Sequence, residues 1–232
     1  MGEKNFMPLE GNPEVFQSYA EALGRHDLLF QDLYAFEQWA FDMLSKPIVG
    51  LIAIVPLTET ISTWRRKNYP NDKKHEVPPE VWFTRQRISN TCGTIALLHL
   101  LNNVNVATGS DVSSTLEKMK DKAIVSPQDR AAFIESSDEI NDLHAKFQSK
   151  GDTAVASRGA PVDTHFITFV VVRDTLYELD GQLCYPVNHG PATQEELLMK
   201  AIDVISTNFI KLEPNDMRFS AIAVSSKVSN EE

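Results

Sequence analysis

Apolar positions recur along this chain at two periods, and the switches between them lay out the elements. Val15, Phe16, Tyr19, Ala20 and Leu23 share one helical face; Asn12 can cap that helix, Pro13 suits its first position and Gly24 stops it. Phe30 to Tyr34 predicts a short strand and Glu37 to Leu44 a helix. Ile48 to Val55 is apolar throughout and rich in β-branched residues, the pattern of a central strand buried on both faces. Thr91 to Asn103 predicts a buried helix, because Ile95, Ala96, Leu97, Leu98, Leu100 and Leu101 leave it almost no polar side. Ser110, Ser126 and Ser136 are candidate caps for three short amphipathic helices ending near Gln148. His165 to Val172 and Leu176 to Asp180, divided by Arg173-Asp174-Thr175, predict a hairpin. Thr193 to Leu212 predicts an amphipathic helix, and Phe219 to Val224 a last strand.

Two stretches break these periods. Thr58 to Glu80 is polar, mixed in charge and holds Pro70, Pro78 and Pro79, so a mobile loop is expected near residues 62–80, with the basic runs Arg65-Arg66-Lys67 and Lys73-Lys74-His75 in solvent. Ser149 to Thr164 has small and polar residues with no apolar period, which predicts a second long loop. Strands and helices mingle without strict βαβ alternation. That favours one α/β (α+β) domain with a mostly antiparallel sheet and helices on both sides. The 232 residues suffice for that core.

Composition narrows the function classes. The formal net charge is -10, which disfavours the phosphate backbone of nucleic acid and would attract a basic protein or peptide, although taken by itself it reads as a device that keeps the protein soluble. The two cysteines, Cys92 and Cys184, make no disulfide framework and suit a reducing compartment. Met1 to Phe6 lack an apolar signal core, and no apolar run reaches membrane-spanning length, so the expectation is a cytoplasmic protein with nuclear access and no membrane partner. No motif for a metal, ATP or a dinucleotide occurs, so no cofactor and no metal are expected.

One constellation could carry chemistry. In Gln86-Arg87-Ile88-Ser89-Asn90-Thr91-Cys92-Gly93, a polar loop delivers Cys92 to the first turn of the buried helix, where unpaired N–H groups and the helix dipole favour a thiolate. Taken alone, a cysteine in an apolar helix reads as an inert core residue. His165 begins one strand of the hairpin and Asp180 ends the other, so both lie at its open end. There a carboxylate could orient an imidazole whose other nitrogen faces the sulfur. Gln86, six residues before Cys92, could donate to a developing oxyanion beside the Cys92 N–H. The order Gln, Cys, His, Asp also occurs in papain-like cysteine peptidases. Of the other histidines, His99 shares the Cys92 helix and is expected in the core. His26, His75 and His144 are expected at the surface, and His189 in a turn.

Six segments together resemble the ubiquitin C-terminal hydrolases, in particular their short single-domain members. They are Pro8 to Val15, Gln86 to Gly93, His165 to Ile167, Tyr177 to Gly181, Pro186 to Gly190 and Arg218 to Ala223. The resemblance spans essentially the whole chain. It implies a single catalytic domain over residues 1–232, papain-like, with a central six-stranded sheet flanked by helices and a knotted backbone. It implies Cys92 as nucleophile, His165 as base, Asp180 as its orienter and Gln86 as oxyanion donor. Residues near 149–164 would form a loop crossing the active site. The implied partner is ubiquitin or a ubiquitin-like protein with a basic tail, met by Pro8, Leu9, Glu10, Asn12, Asp163 and Met217, and the enzyme would act as a monomer. The implied reaction is thiol hydrolysis of small or flexible adducts at the ubiquitin C-terminus. The rival readings are a ubiquitin-binding protein with little turnover and an acyltransferase acting on a small thioester.

Overall fold

The computed structural model describes residues 6–71, 77–105, 112–121, 124, 126–151 and 162–227. The antiparallel sheet has the order β1-β6-β2-β3-β4-β5. Its strands are β1 (Leu28–Asp32), β2 (Ile48–Pro56), β3 (Thr164–Val172), β4 (Thr175–Leu179), β5 (Val187–Pro191) and β6 (Ser220–Ser226). The last strand therefore lies between the first two, and every pairing is antiparallel. This is the six-stranded α/β sheet expected from the sequence.

Alternation along the strands divides the core into two layers. Ile52, Ile54, Phe166, Val170 and Leu179 face α1 (Pro13–Ala22), α4 (Cys92–Asn103), α5 (Ser114–Met119), α6 (Pro127–Ser136) and α7 (Asp138–Phe147). Leu51, Ala53, Val55, Ile167 and Phe169 face α2 (Gln38–Asp42), α3 (Glu59–Asn68) and α8 (Leu197–Asn208). Helix α4 is buried along nearly its full length, and Thr168 on β3 donates to the Ala96 carbonyl at 2.7 Å, which fixes the helix on the sheet. Arg173 and Asp174 both have positive φ, 46° and 54°, matching the two-residue turn that follows the natural strand twist.

Several boundaries differ from the sequence reading. The loop expected near residues 62–80 is instead helical over α3, where the Thr58 hydroxyl accepts from the Ile61 N–H and Ile61 alone plugs into the core. One apolar anchor in ten residues gives too little periodicity to be read as a helix. The short helices are capped by Ser113, Ser126 and Ser137; neighbouring serines made Ser110 and Ser136 equally plausible caps. Strand β1 begins two residues early, and α8 begins only at Leu197, after a turn held by the Glu196 carboxylate on the Thr193 N–H. His144 is buried rather than exposed; its ring bonds the Thr94 hydroxyl at 2.7 Å and the Met7 carbonyl at 2.9 Å. His189 lies in β5 rather than in a turn. His75 and Ser110 lie outside the described residues, as does most of the expected crossover segment.

One buried ion pair locks α4 to the strand layer. Arg25, fully buried, forks onto Asp27 at 2.8 and 2.9 Å and donates to the carbonyls of Leu101 and Asn105. Removing it strands a buried carboxylate. Arg25→Ala is expected to cost about 3–5 kcal/mol, read as a lower urea midpoint; an unchanged midpoint would show that the pair does not anchor the helix.

Candidate active site

Cys92 opens α4, and the loop before it sets its position. Asn90 takes a left-handed conformation at φ 62°, which asparagine tolerates, and its side chain donates to the Phe6 carbonyl at 2.7 Å. Thr91 is the N-cap residue but makes no capping bond; its hydroxyl turns back to the Ile88 carbonyl at 2.7 Å. The first-turn N–H groups are thus free of a side-chain cap, and the Gly93 and Phe166 backbone amides act on the sulfur to lower its pKa.

The hairpin brings the other two groups to the same point. Continuing the β3–β4 register one step past Leu179 sets Asp180 beside Ile167, with His165 two positions further along the same face. Such diagonal neighbours are within side-chain reach. His165 Nε2 lies 2.6 Å from Asp180 Oδ1, so Nδ1 is the nitrogen left to hydrogen-bond the Cys92 sulfur. The Gln182 amide nitrogen lies 3.4 Å from Nδ1, and the Gln182 backbone N–H donates to Asp180 Oδ1 at 2.8 Å.

All three groups are at most 5% exposed, so their charge states are set by one another. Burial pushes the Cys92 thiol up, but the hydrogen bond and charge of His165 and two backbone amides outweigh it and hold the thiol below its ordinary value. Burial pushes His165 down, and the Asp180 carboxylate together with the sulfur reverses this, raising it to about 10. Burial would raise Asp180, yet His165 and Arg65 hold it well below the carboxylate range. These shifts favour a thiolate–imidazolium pair backed by a carboxylate.

Gln86 is latched to the same corner. Its backbone N–H donates to the Gly181 carbonyl at 2.8 Å, and its Nε2 donates to the Ile88 carbonyl at 3.0 Å, orienting the second amide hydrogen. Gly181 permits the approach: a Cβ there would sit 2.9 Å from Ile95 Cγ2 and 3.1 Å from Gln86 Cβ. The four residues singled out for chemistry thus converge.

The predicted partner contacts divide. Met217 is 92% exposed, and Pro8 is partly exposed. Leu9 is 4% exposed and packs over Gly93, so it belongs to the core beside the nucleophile rather than to an open surface. Asn12 caps α1, accepting from the Glu14 N–H at 2.8 Å. The Asp163 carboxylate is held by Arg218 at 2.8 Å. Glu10 lines a groove of about 650 Å³ with Asn12, Glu14, Asp32, Tyr34 and Met43. Asp32, Tyr34 and Met43, from a strand end, a loop and a helix cap, line the same groove and were not singled out in the sequence.

The sequence also gave no signal for the partner of Asp180. Arg65, reached from α3, lies 2.6 Å from Asp180 Oδ2 and 2.7 Å from Glu178 Oε1, the second contact being poorly aligned as a hydrogen bond.

Comparisons with known proteins place similar chains in one family. The sequence model of ubiquitin carboxyl-terminal hydrolase, family 1, matches residues 6–211. Ubiquitin carboxyl-terminal hydrolase isozyme L1 of Homo sapiens is 34% identical over 219 residues, covering 94% of this chain and 96% of the relative. Ubiquitin carboxyl-terminal hydrolase 3 of Arabidopsis thaliana is 33% identical over 227 residues, covering 97% and 95%. Among solved structures, the Trichinella spiralis UCH37 catalytic domain bound to ubiquitin vinyl methyl ester is similar, with a TM-score of 0.76, 25% identity and 97% of each chain covered.

The ion pair makes a kinetic prediction. Alkylation of Cys92 by iodoacetamide should stay fast well below the ordinary thiol range of about 8.5. His165→Ala should return its midpoint to that range or above. A wild-type midpoint like that of a free thiol would contradict the pairing.

Proposed function

The chain belongs to the ubiquitin carboxyl-terminal hydrolase family, and on that premise we propose that Cys92, His165, Asp180 and Gln86 are its catalytic residues. The protein is a cysteine-type deubiquitinating hydrolase, and its partner is ubiquitin. The carrying observation for the residue roles is the buried His165–Asp180 contact at 2.6 Å, with Cys92 acting electrostatically on His165 and Gln86 latched beside Gly181. Because the nucleophile is coupled to a base that a carboxylate already holds, this arrangement favours turnover over mere binding.

The steps follow from the charges. The Cys92 thiolate attacks the terminal carbonyl of the ubiquitin tail, and the carbonyl π electrons move to oxygen. The Cys92 N–H and the second hydrogen of the Gln86 amide stabilise that oxyanion. His165, already protonated, gives its Nδ1 proton to the departing amine or alkoxide as the bond to carbon breaks. The neutral imidazole then takes a proton from water, which attacks the thioester and releases the tail and the thiolate. Asp180 keeps the ring in place and favours its charged form throughout.

The acidic groove of Glu10, Glu14 and Asp32 supports a basic tail arriving from the α1 side of the site, with exposed Tyr34 and Met43 offering apolar contact. Asp163 shares Oδ2 with Arg218, so a tail arginine there would share or displace that pairing. Leaving groups are small or flexible adducts. We assign the enzyme to the cytoplasm with access to the nucleus. That assignment is supported by two free thiols, and among the described residues no helix is long and apolar enough to cross a membrane.

Reaction with ubiquitin carrying a C-terminal electrophile should yield one adduct on Cys92, seen by peptide mass mapping. Cys92→Ala should abolish turnover of a fluorogenic ubiquitin substrate while retaining its binding. Gln86→Ala should lower kcat by about 10²–10³-fold. Full activity in Cys92→Ala would reject the assignment.

A further inference from the structure

Behind the His165–Asp180 pair lies a second charged layer. Arg65 comes from α3, in the stretch whose basic run was expected to be solvated. Its side chain is only 11% exposed. One guanidinium nitrogen holds Asp180 Oδ2 at 2.6 Å, the oxygen that His165 does not use. Another faces the Glu178 carboxylate at 2.7 Å, and Glu178 is fully buried. Glu178 in turn bonds His189 Nε2 on β5 at 2.9 Å. The rings of Tyr69 and Phe209 lie 5.4 and 5.1 Å from the guanidinium carbon, walling it in.

We infer that Arg65 is a positioning residue for the reaction: its fork fixes the rotation of the Asp180 carboxylate so that one oxygen faces the imidazole, and Glu178 and His189 hold the fork in place. The inference rests on the proposed catalytic roles of Cys92, His165 and Asp180.

The physical need is clear from the charges. Glu178 on β4 and Asp180 just past its end are two residues apart, project to the same side of the sheet, and are both buried. Without a cation between them the two carboxylates repel, and one must take up a proton or turn away. Either change weakens the hold of Asp180 on His165, and the thiolate loses its counter-charge. The groups that face this layer are Tyr69 from the C-cap of α3, His165 from β3, His189 from β5, and Cys92 and His99 from α4. Among these described neighbours, Arg65 is the cation that forks onto both carboxylates. A planar guanidinium spans two carboxylates where a lysine ammonium serves one.

The test compares Arg65→Met, Arg65→Lys and the double variant Arg65→Met/Glu178→Gln in the full-length enzyme. The readouts are kcat and KM for a fluorogenic ubiquitin substrate, and thiolate absorbance titrated against pH. Arg65→Met is expected to lower kcat by about 10²-fold, with KM nearly unchanged, and to raise the thiolate midpoint. Arg65→Lys should fall between wild type and Arg65→Met. The double variant has no opposed carboxylates but still no grip on Asp180, so it should recover part of the loss. An unmoved kcat and midpoint in Arg65→Met would overturn the inference, as would a double variant restored to wild-type values.

Should Arg65→Met fail to fold, the double variant carries the test: reduced kcat with a raised midpoint supports it, and wild-type values overturn it. Failure of the underlying reading looks different. In that case the wild-type thiolate signal would survive Cys92→Ser, whatever Arg65 does.

Discussion

The site depends on keeping a sulfur anion and an imidazolium together where water is scarce. Neither charge is stable there alone, since burial pushes Cys92 up and His165 down. Each is held charged by the other, and the surplus is settled by alternation: thiolate, imidazolium, the Asp180 carboxylate, the Arg65 guanidinium, the Glu178 carboxylate. In a low-dielectric setting such a row is strong when every member has its neighbour and costly when one is missing.

The fold serves that row by bringing its members from far-apart elements. Helix α4 presents Cys92 from one layer of the core, while the odd-numbered face of β3 and the even-numbered face of β4 carry His165, Glu178 and Asp180 toward the other. The sulfur and the ring meet at the open end of the sheet, where the Phe166 amide also reaches the sulfur. The Thr168 bond to α4 and the latch between Gln86 and Gly181 tie the two layers at that end. Misplacing either layer by an ångström would separate the pair before it unfolded the domain.

Elements with strong apolar periods were readable from the chain alone. The α4 run, the Ile48–Val55 strand and the β3–β4 hairpin carry dense hydrophobic patterns, and the structure forms them with boundaries within a residue or two. Cys92, His165, Asp180 and Gln86 stood out because their residue types and order fit one chemistry, and the six matching segments strengthened that reading. What stayed hidden was polar and long-range. Helix α3 buries only Ile61 fully, so its pattern resembles a loop, and Arg65 looked like one charge in a solvated run. Nothing local in the sequence says that its partners lie more than a hundred residues away. His144 and His189 were misplaced for the same reason: the burial of the first and the strand position of the second are tied to Thr94, Met7 and Glu178, none of them neighbours in sequence.

The central claim is the charge state of one imidazole, and nitrogen-15 NMR of ring-labelled histidine reads it directly. In the resting enzyme His165 should carry both ring protons through neutral pH and release one only as the pH rises toward about 10. In Cys92→Ala, which removes one of its two anionic partners, that transition should move down. A His165 ring that is neutral at pH 7 in the wild-type enzyme would contradict the account.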